Sequence, residues 1–101
     1  MNTILIIDDE KEICESIKMI LEYEGYFVDY STSALKGLTI IEEKQISCLL
    51  LDIQMPEMSG FEVLKKVKET TPSLSVIIIS AHGSVENAIK ATRLGAFDFI
   101  E

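Results

Sequence analysis

Basic residues are scarce in this chain: 9 lysines and arginines stand against 17 aspartates and glutamates, a net charge of −8 over 101 residues. Phosphate backbones and anionic lipid need a basic footprint, so the balance argues against nucleic-acid binding and against a membrane surface. An acidic surface suits a cytoplasmic protein that meets protein partners or captures a cation. Cysteine is nearly absent. Cys14 and Cys48 are too few for a disulfide framework, and both lie in apolar patterns where reduced core thiols are expected. No apolar run approaches the ~18 residues of a membrane span. The Ile4–Ile7 run turns acidic at Asp8, too soon for a signal peptide. Low-complexity stretches, solenoid repeats and linkers are also missing. The expectation is one cytoplasmic domain over residues 1–101.

What is present is an alternation of short apolar runs and amphipathic segments. Thr3–Asp8, Tyr26–Tyr30, Cys48–Leu51, Leu74–Ser80 and Phe97–Ile100 read as strands. Between them, Lys11–Glu24 carries Ile13, Ile17, Ile20 and Leu21 at helical spacing, with Gly25 as its stop. Ser33 caps a helix presenting Ala34, Leu38 and Ile41, although Gly37 weakens that helix. Ser59 and Glu62 form a capping-box pattern ahead of Phe61, Leu64 and Val67, and Pro72 closes that region. Ser84 opens a last helix with Val85, Ala88, Ile89 and Leu94 as its apolar set, stopped by Gly95. Strict strand–helix alternation predicts an α/β fold with a parallel sheet. Strands apolar at consecutive positions are buried on both faces, as in a doubly wound five-stranded sheet.

Ligands of such sheets sit at the carboxyl ends of the strands, beside the point where strand order reverses. Those ends carry Asp8 and Asp9 after the first strand, Asp52 after the third and Ser80 after the fourth. With strand order 2-1-3-4-5 the three aspartates converge. Packed carboxylates raise one another's pKa unless a cation sits among them. A part-open oxygen cluster suits Mg²⁺, which takes one or two carboxylates plus a phosphate oxygen. Ser80 is placed to supply a hydroxyl to a phosphoryl group beside it. The plainer alternative is that Asp8 and Asp9 only begin the helix at Lys11, where acids complement the helix dipole. Asp52 has no such explanation, since it ends an apolar run and no helix starts there.

With these residues the chain resembles the receiver domain of bacterial two-component response regulators. The matching motifs are Asp8-Asp9-Glu10, the run from Asp52 through Met55-Pro56 to Ser59-Gly60, Ser80-Ala81, and Ala96-Phe97-Asp98-Phe99-Ile100. The resemblance covers the whole chain and implies the flavodoxin-like fold of order 2-1-3-4-5. It implies that Asp52 accepts a phosphoryl group from a sensor histidine kinase, in a signalling switch that is not a turnover enzyme. Asp9, Asp52 and the Gln54 backbone carbonyl would hold Mg²⁺, with Asp8 assisting through water. Ser80 and the Ala81 backbone N–H would contact the phosphoryl group, and Phe99 would be the aromatic switch residue. Gln54 and His82 occupy the positions that tune phosphate lifetime, although an exposed loop histidine is the plainer reading of His82. Met55 and Met58 are expected to pack in the core or turn, and Pro56 and Gly60 to fix the loop backbone.

The family places a lysine directly after the fifth strand, followed by a final helix. Neither occurs through Glu101, so the resemblance implies a C-terminally incomplete receiver. With right-handed crossovers, one helix covers the first sheet face and three cover the second. The Val76–Ile79 and Phe97–Ile100 runs are then expected to expose apolar side chains, a patch that favours self-association or domain exchange. The segment from Gly83 onward resembles receivers of nitrogen-regulation-type transcription activators, in which an output domain lies beyond the receiver. Two other classes are weighed against the switch. A Mg²⁺-dependent phosphohydrolase needs a second acid where this chain has Gln54. A receiver-like interaction module needs no phosphorylation, yet every acidic position is present here.

Overall fold

Consecutive apolar residues form strands in this chain because helices lie over both faces of the sheet. The computed structural model describes residues 3–80 and 84–100. It alternates β1 (Thr3–Ile7), α1 (Lys11–Tyr23), β2 (Phe27–Ser31), α2 (Ala34–Glu43), β3 (Cys48–Asp52), α3 (Gly60–Thr70), β4 (Ser75–Ile79), α4 (Val85–Arg93) and β5 (Asp98–Ile100). The five strands pair in parallel in the order β2-β1-β3-β4-β5, the expected doubly wound α/β topology. The register sets Ile7 opposite both Ser31 and Leu51, and Asp52 opposite Ile79. The carboxyl ends of β1, β3 and β4 therefore share one edge of the molecule.

Helix boundaries follow local chemistry. The hydroxyls of Ser33, Ser59 and Ser84 accept from the backbone N–H groups of Lys36, Glu62 and Asn87, which the first turn of each helix leaves without intrahelical partners. Gly25 and Gly95 take φ values of 94° and 99° and turn the chain away after α1 and α4. Replacing Ser84 by alanine is expected to cost about 1 kcal/mol, read as a lower urea midpoint. An unchanged midpoint would show that α4 does not depend on this cap.

The larger core lies between the sheet and α2, α3 and α4. Leu5, Ile7, Leu49, Leu51, Val76 and Ile78 of the strands meet Ala34, Ile41, Val63, Leu64, Val67 and Ala91 of the helices. A smaller cluster on the other face joins Ile6 and Val28 to Cys14, with Ile17 and Leu21 of α1 packed against it. Two helix faces differ from the sequence expectation. On α1 the side facing the sheet is Cys14-Ile17-Leu21, while Ile13 and Ile20 are 37% and 64% exposed. On α4, Ala91 is buried and Leu94 packs on the core, while Val85 and Ile89 are exposed. In both helices the small residue that allows close approach, Cys14 or Ala91, sets the buried face. Ile13 and Ile20 on α1, and Val85 and Ile89 on α4, fall outside it.

The expected apolar exposure along β4 and β5 is met in part. Val76 and Ile78 are buried against the larger core, Ile77 and Ile79 are half-buried, and Phe97 and Ile100 are exposed. Cys14 is buried and Cys48 half-buried, and both are free thiols. Among the described residues, no helix is long and apolar enough to cross a membrane.

Candidate phosphoacceptor and metal site

β1 ends at Ile7, and its direction carries Asp8 and Asp9 beyond the sheet edge. Asp8 stays buried: its backbone N–H donates to the Ser31 carbonyl at 3.2 Å, continuing the pairing with β2. Its carboxylate accepts from the Glu10 backbone N–H at 2.9 Å, and the Cys14 thiol donates to its backbone carbonyl at 3.3 Å. Glu10, the N-cap of α1, makes no side-chain cap bond. The acids therefore do more than start a helix. Asp8 fixes the turn, and Asp9 is left exposed at the strand end.

Asp52 is the last residue of the central strand β3 and is half-buried. Carboxylate oxygens of Asp8, Asp9 and Asp52 all lie within 4.8 Å of one another, as the convergence at the strand ends predicts. Burial pushes the Asp52 carboxyl up to about 6, and the nearby charge of Asp8 adds to the shift. Backbone hydrogen bonds from Gln54 and Ile53 oppose it. Burial likewise raises Asp8, against the Glu10 hydrogen bond. The same burial and the Asp8 charge push the Cys14 thiol up to about 11, so it remains a protonated donor.

Such a trio is an unfavourable arrangement of like charges that a hard divalent cation would relieve. Its donors are all oxygen, and one of them faces solvent, which fits an ion that retains several waters. The residues present fit Mg²⁺.

The remaining sequence candidates are placed as follows. Ser80 is buried immediately after β4, one residue beyond the partner of Asp52, and its backbone N–H donates to the Ile100 carbonyl at 2.9 Å. Gln54 is exposed in the loop after β3, with its backbone N–H directed to Asp52. Phe99 pairs with Ile78 in β5 and is half-buried against the larger core, so its ring belongs to that packing and not to the acidic cluster. Ala81 and His82 lie outside the described residues.

The loop from Ile53 to Ser59 is tied down at two places. Gly60 donates its N–H to the Ile53 carbonyl at 2.7 Å. A Cβ at Gly60 would meet the backbone of Asp52 and Ile53, so only glycine permits this approach. Met55 and Met58 are half-buried against the larger core, as expected. Sequence reading did not single out Glu57, whose Oε1 accepts from the Ser33 hydroxyl at 2.6 Å and the Ala34 backbone N–H at 2.7 Å. Glutamate at an exposed loop position carries no local signal for such a distant contact.

Known proteins are similar to this chain in sequence and fold. Residues 4–101 match the response regulator receiver domain family. An NtrX-like response regulator of Rickettsia bellii is 41% identical over 100 residues, which are 97% of this chain and 21% of the relative. The transcriptional regulatory protein ZraR of Klebsiella oxytoca is 37% identical over 96% of this chain and 22% of its own length. The chain thus spans about a fifth of these relatives. The solution structure of the beryllofluoride-activated NtrC4 receiver domain dimer superposes with a TM-score of 0.94 at 38% identity, covering 100% of this chain and 84% of that one. The Thermotoga maritima response regulator TrrA, solved in complex with Mg²⁺-BeF, gives 0.90 at 27% identity, with 99% and 85% covered. With its acidic trio at the switch point of a β2-β1-β3-β4-β5 sheet, and a family match that runs from β1 to its last residue, the chain belongs to the response regulator receiver domain family.

Proposed function

We propose that this receiver domain is a phosphorylation-controlled switch in which Asp52 takes a phosphoryl group from a phosphohistidine of a sensor histidine kinase. The observation that carries this reading is the approach of the Asp8, Asp9 and Asp52 carboxylates to within 4.8 Å at the strand ends. An Asp52 carboxylate oxygen attacks phosphorus. The new P–O bond forms as the P–N bond breaks, and the imidazole nitrogen leaves with the electron pair. Asp9, Asp52 and the Gln54 backbone carbonyl would hold Mg²⁺, with Asp8 assisting. When bound, the ion would supply positive charge to the phosphoryl oxygens and cancel the repulsion among the aspartates.

The Ser80 hydroxyl and the Ala81 backbone N–H contact the phosphoryl oxygens, and Gln54 and His82 tune the lifetime of the acyl phosphate. Phosphorylation shifts a preset equilibrium through these differential contacts, with Phe99 turning inward as Ser80 moves. The half-buried position of Phe99 supports that role, since its ring already borders both solvent and core. The domain promotes its own phosphorylation and dephosphorylation without being a turnover enzyme. Its partners are the kinase, an output domain and, as with the NtrC4 receiver dimer, a second copy.

Acetyl phosphate with Mg²⁺ should add one phosphoryl group to the protein and none to Asp52→Asn, read by intact mass. Equal modification of both would overturn the assignment. So would modification of neither when the protein is folded and binds Mg²⁺.

A further inference from the structure

We propose that Glu57 is a positioning residue for the phosphoacceptor loop, its carboxylate clamping the segment between Asp52 and Gly60 onto the N-terminus of α2. The proposal rests on the reading of Asp52 and the Gln54 carbonyl given above. That loop has no regular structure between Ile53 and Ser59. Its base is closed by the Gly60 N–H to the Ile53 carbonyl, which leaves the outer part to be held by side chains. On the apolar side, Met55 and Met58 rest against the larger core. On the polar side, Glu57 reaches across to α2.

One oxygen of Glu57 accepts both the Ser33 hydroxyl at 2.6 Å and the Ala34 N–H at 2.7 Å. Ser33 is the N-cap of α2, but its own bond to the Lys36 N–H is 3.3 Å long. The Glu57 carboxylate is therefore the shorter-range acceptor at a helix end where unpaired N–H groups and the helix dipole favour an anion. The Ser33 hydrogen bond holds the Glu57 carboxyl below its ordinary value, so the acceptor stays ionised.

The anchor is itself rigid. Ser31 Oγ donates to the Ser33 carbonyl at 2.7 Å and accepts the Ser33 N–H at 3.1 Å, fixing the turn into α2. Ala34 is buried, and Gly37 lies directly on Ile7, the residue before Asp8. The clamp thus refers the loop that carries Gln54 to the same framework that carries Asp8. Glu57 touches no reacting atom; it acts through the backbone it holds.

The test is the Mg²⁺ affinity of the unphosphorylated wild-type protein and its variants by calorimetric titration, beside the Mg²⁺ dependence of acetyl phosphate modification read by intact mass. Glu57→Ala is expected to raise the half-saturating Mg²⁺ about tenfold, the lower end of what loss of a metal ligand's support costs, and to recover most of the rate at saturating Mg²⁺. Glu57→Gln keeps an oxygen acceptor for both donors and should stay within about threefold of wild type. A merely structural role would lower the melting temperature and leave the half-saturating concentration in place. Should Glu57→Ala fail to fold, Glu57→Asp, whose carboxylate is one methylene short of Ser33, carries the same expectation. An unchanged half-saturation in Glu57→Ala beside a responsive wild type would overturn this proposal alone, as would Glu57→Gln behaving like Glu57→Ala. A folded wild type that takes up no phosphoryl group with Mg²⁺ would overturn the reading of the site, and this proposal with it.

Discussion

Gly60→Ala should destabilise the domain by about 3 kcal/mol, at the upper end of what overpacking costs, and should sharply slow modification of Asp52. The added methyl would meet the Asp52 carbonyl oxygen, lie 2.7 Å from Ile53 Cα and 2.9 Å from the Asp52 carbonyl carbon. All of these are backbone atoms. None can swing aside as the end of a flexible side chain would. Their strand is also held on both sides, β3 pairing with β1 and with β4. Relief must come from pushing α3 outward, which withdraws its Val63, Leu64 and Val67 from the core, or from displacing Asp52 itself. The first route lowers the urea midpoint and the second moves the acceptor carboxylate. Equilibrium denaturation and intact-mass kinetics on the same variant separate them. A midpoint and rate both equal to wild type would mean that the loop accommodates a side chain at this position.

The second large effect is on pH dependence. Without a cation, Asp52 titrates at about 6 in the folded protein against 3.8 for an ordinary aspartate. Between those values the folded state binds more protons than the unfolded state, so stability falls as pH rises through the window. Above it, the loss is fully present. Asp8 is raised as well and acts with the same sign. Metal-free Asp52→Asn should therefore be more stable than wild type at neutral pH, by about 1 to 2 kcal/mol once solvent screening of this half-exposed group is allowed for. The gain should vanish below about pH 4, where both states are protonated.

Mg²⁺ reverses the sign, because binding requires the ionised carboxylate. Its affinity for wild type should drop about tenfold on going from about pH 7.5 to about pH 5. Calorimetric titration at the two pH values and urea curves across the range would check both halves. A flat profile would show that Asp52 ionises freely beside Asp8 and Asp9.

Much of this was legible in the residues. The strands announced themselves because Ile4–Ile7, Leu49–Leu51 and Val76–Ile79 are apolar without alternation, which only a sheet covered on both faces accommodates. Once topology followed from the alternation, Asp8, Asp9 and Asp52 had to meet, since each is a strand-end residue on neighbouring strands. The serine caps are local chemistry and were equally readable.

What escaped depends on neighbours distant in sequence. Ile13, Ile20, Val85 and Ile89 fit a helical stripe as well as the residues that actually face the sheet, and spacing alone does not rank one stripe above another. Gly37 looked like a weakness within α2 and is instead where Ile7 presses against the helix. Glu57 reaches Ser33, a contact that exists only after β3 has been laid beside β1.

The order β2-β1-β3-β4-β5 has a further consequence for how the molecule gives way. Asp8, Asp52 and Ser80 are borne by the three interior strands, while β2 and the short β5 are the edges. Opening is easiest where a strand has one neighbour, and both edges are bonded to the pocket, the Asp8 N–H to the Ser31 carbonyl of β2 and the Ser80 N–H to the Ile100 carbonyl of β5. The pocket is thus borne by strands paired on both sides and tied directly to strands paired on one. A displacement of Ser80 would therefore be passed first to β5, the edge strand that carries Phe99.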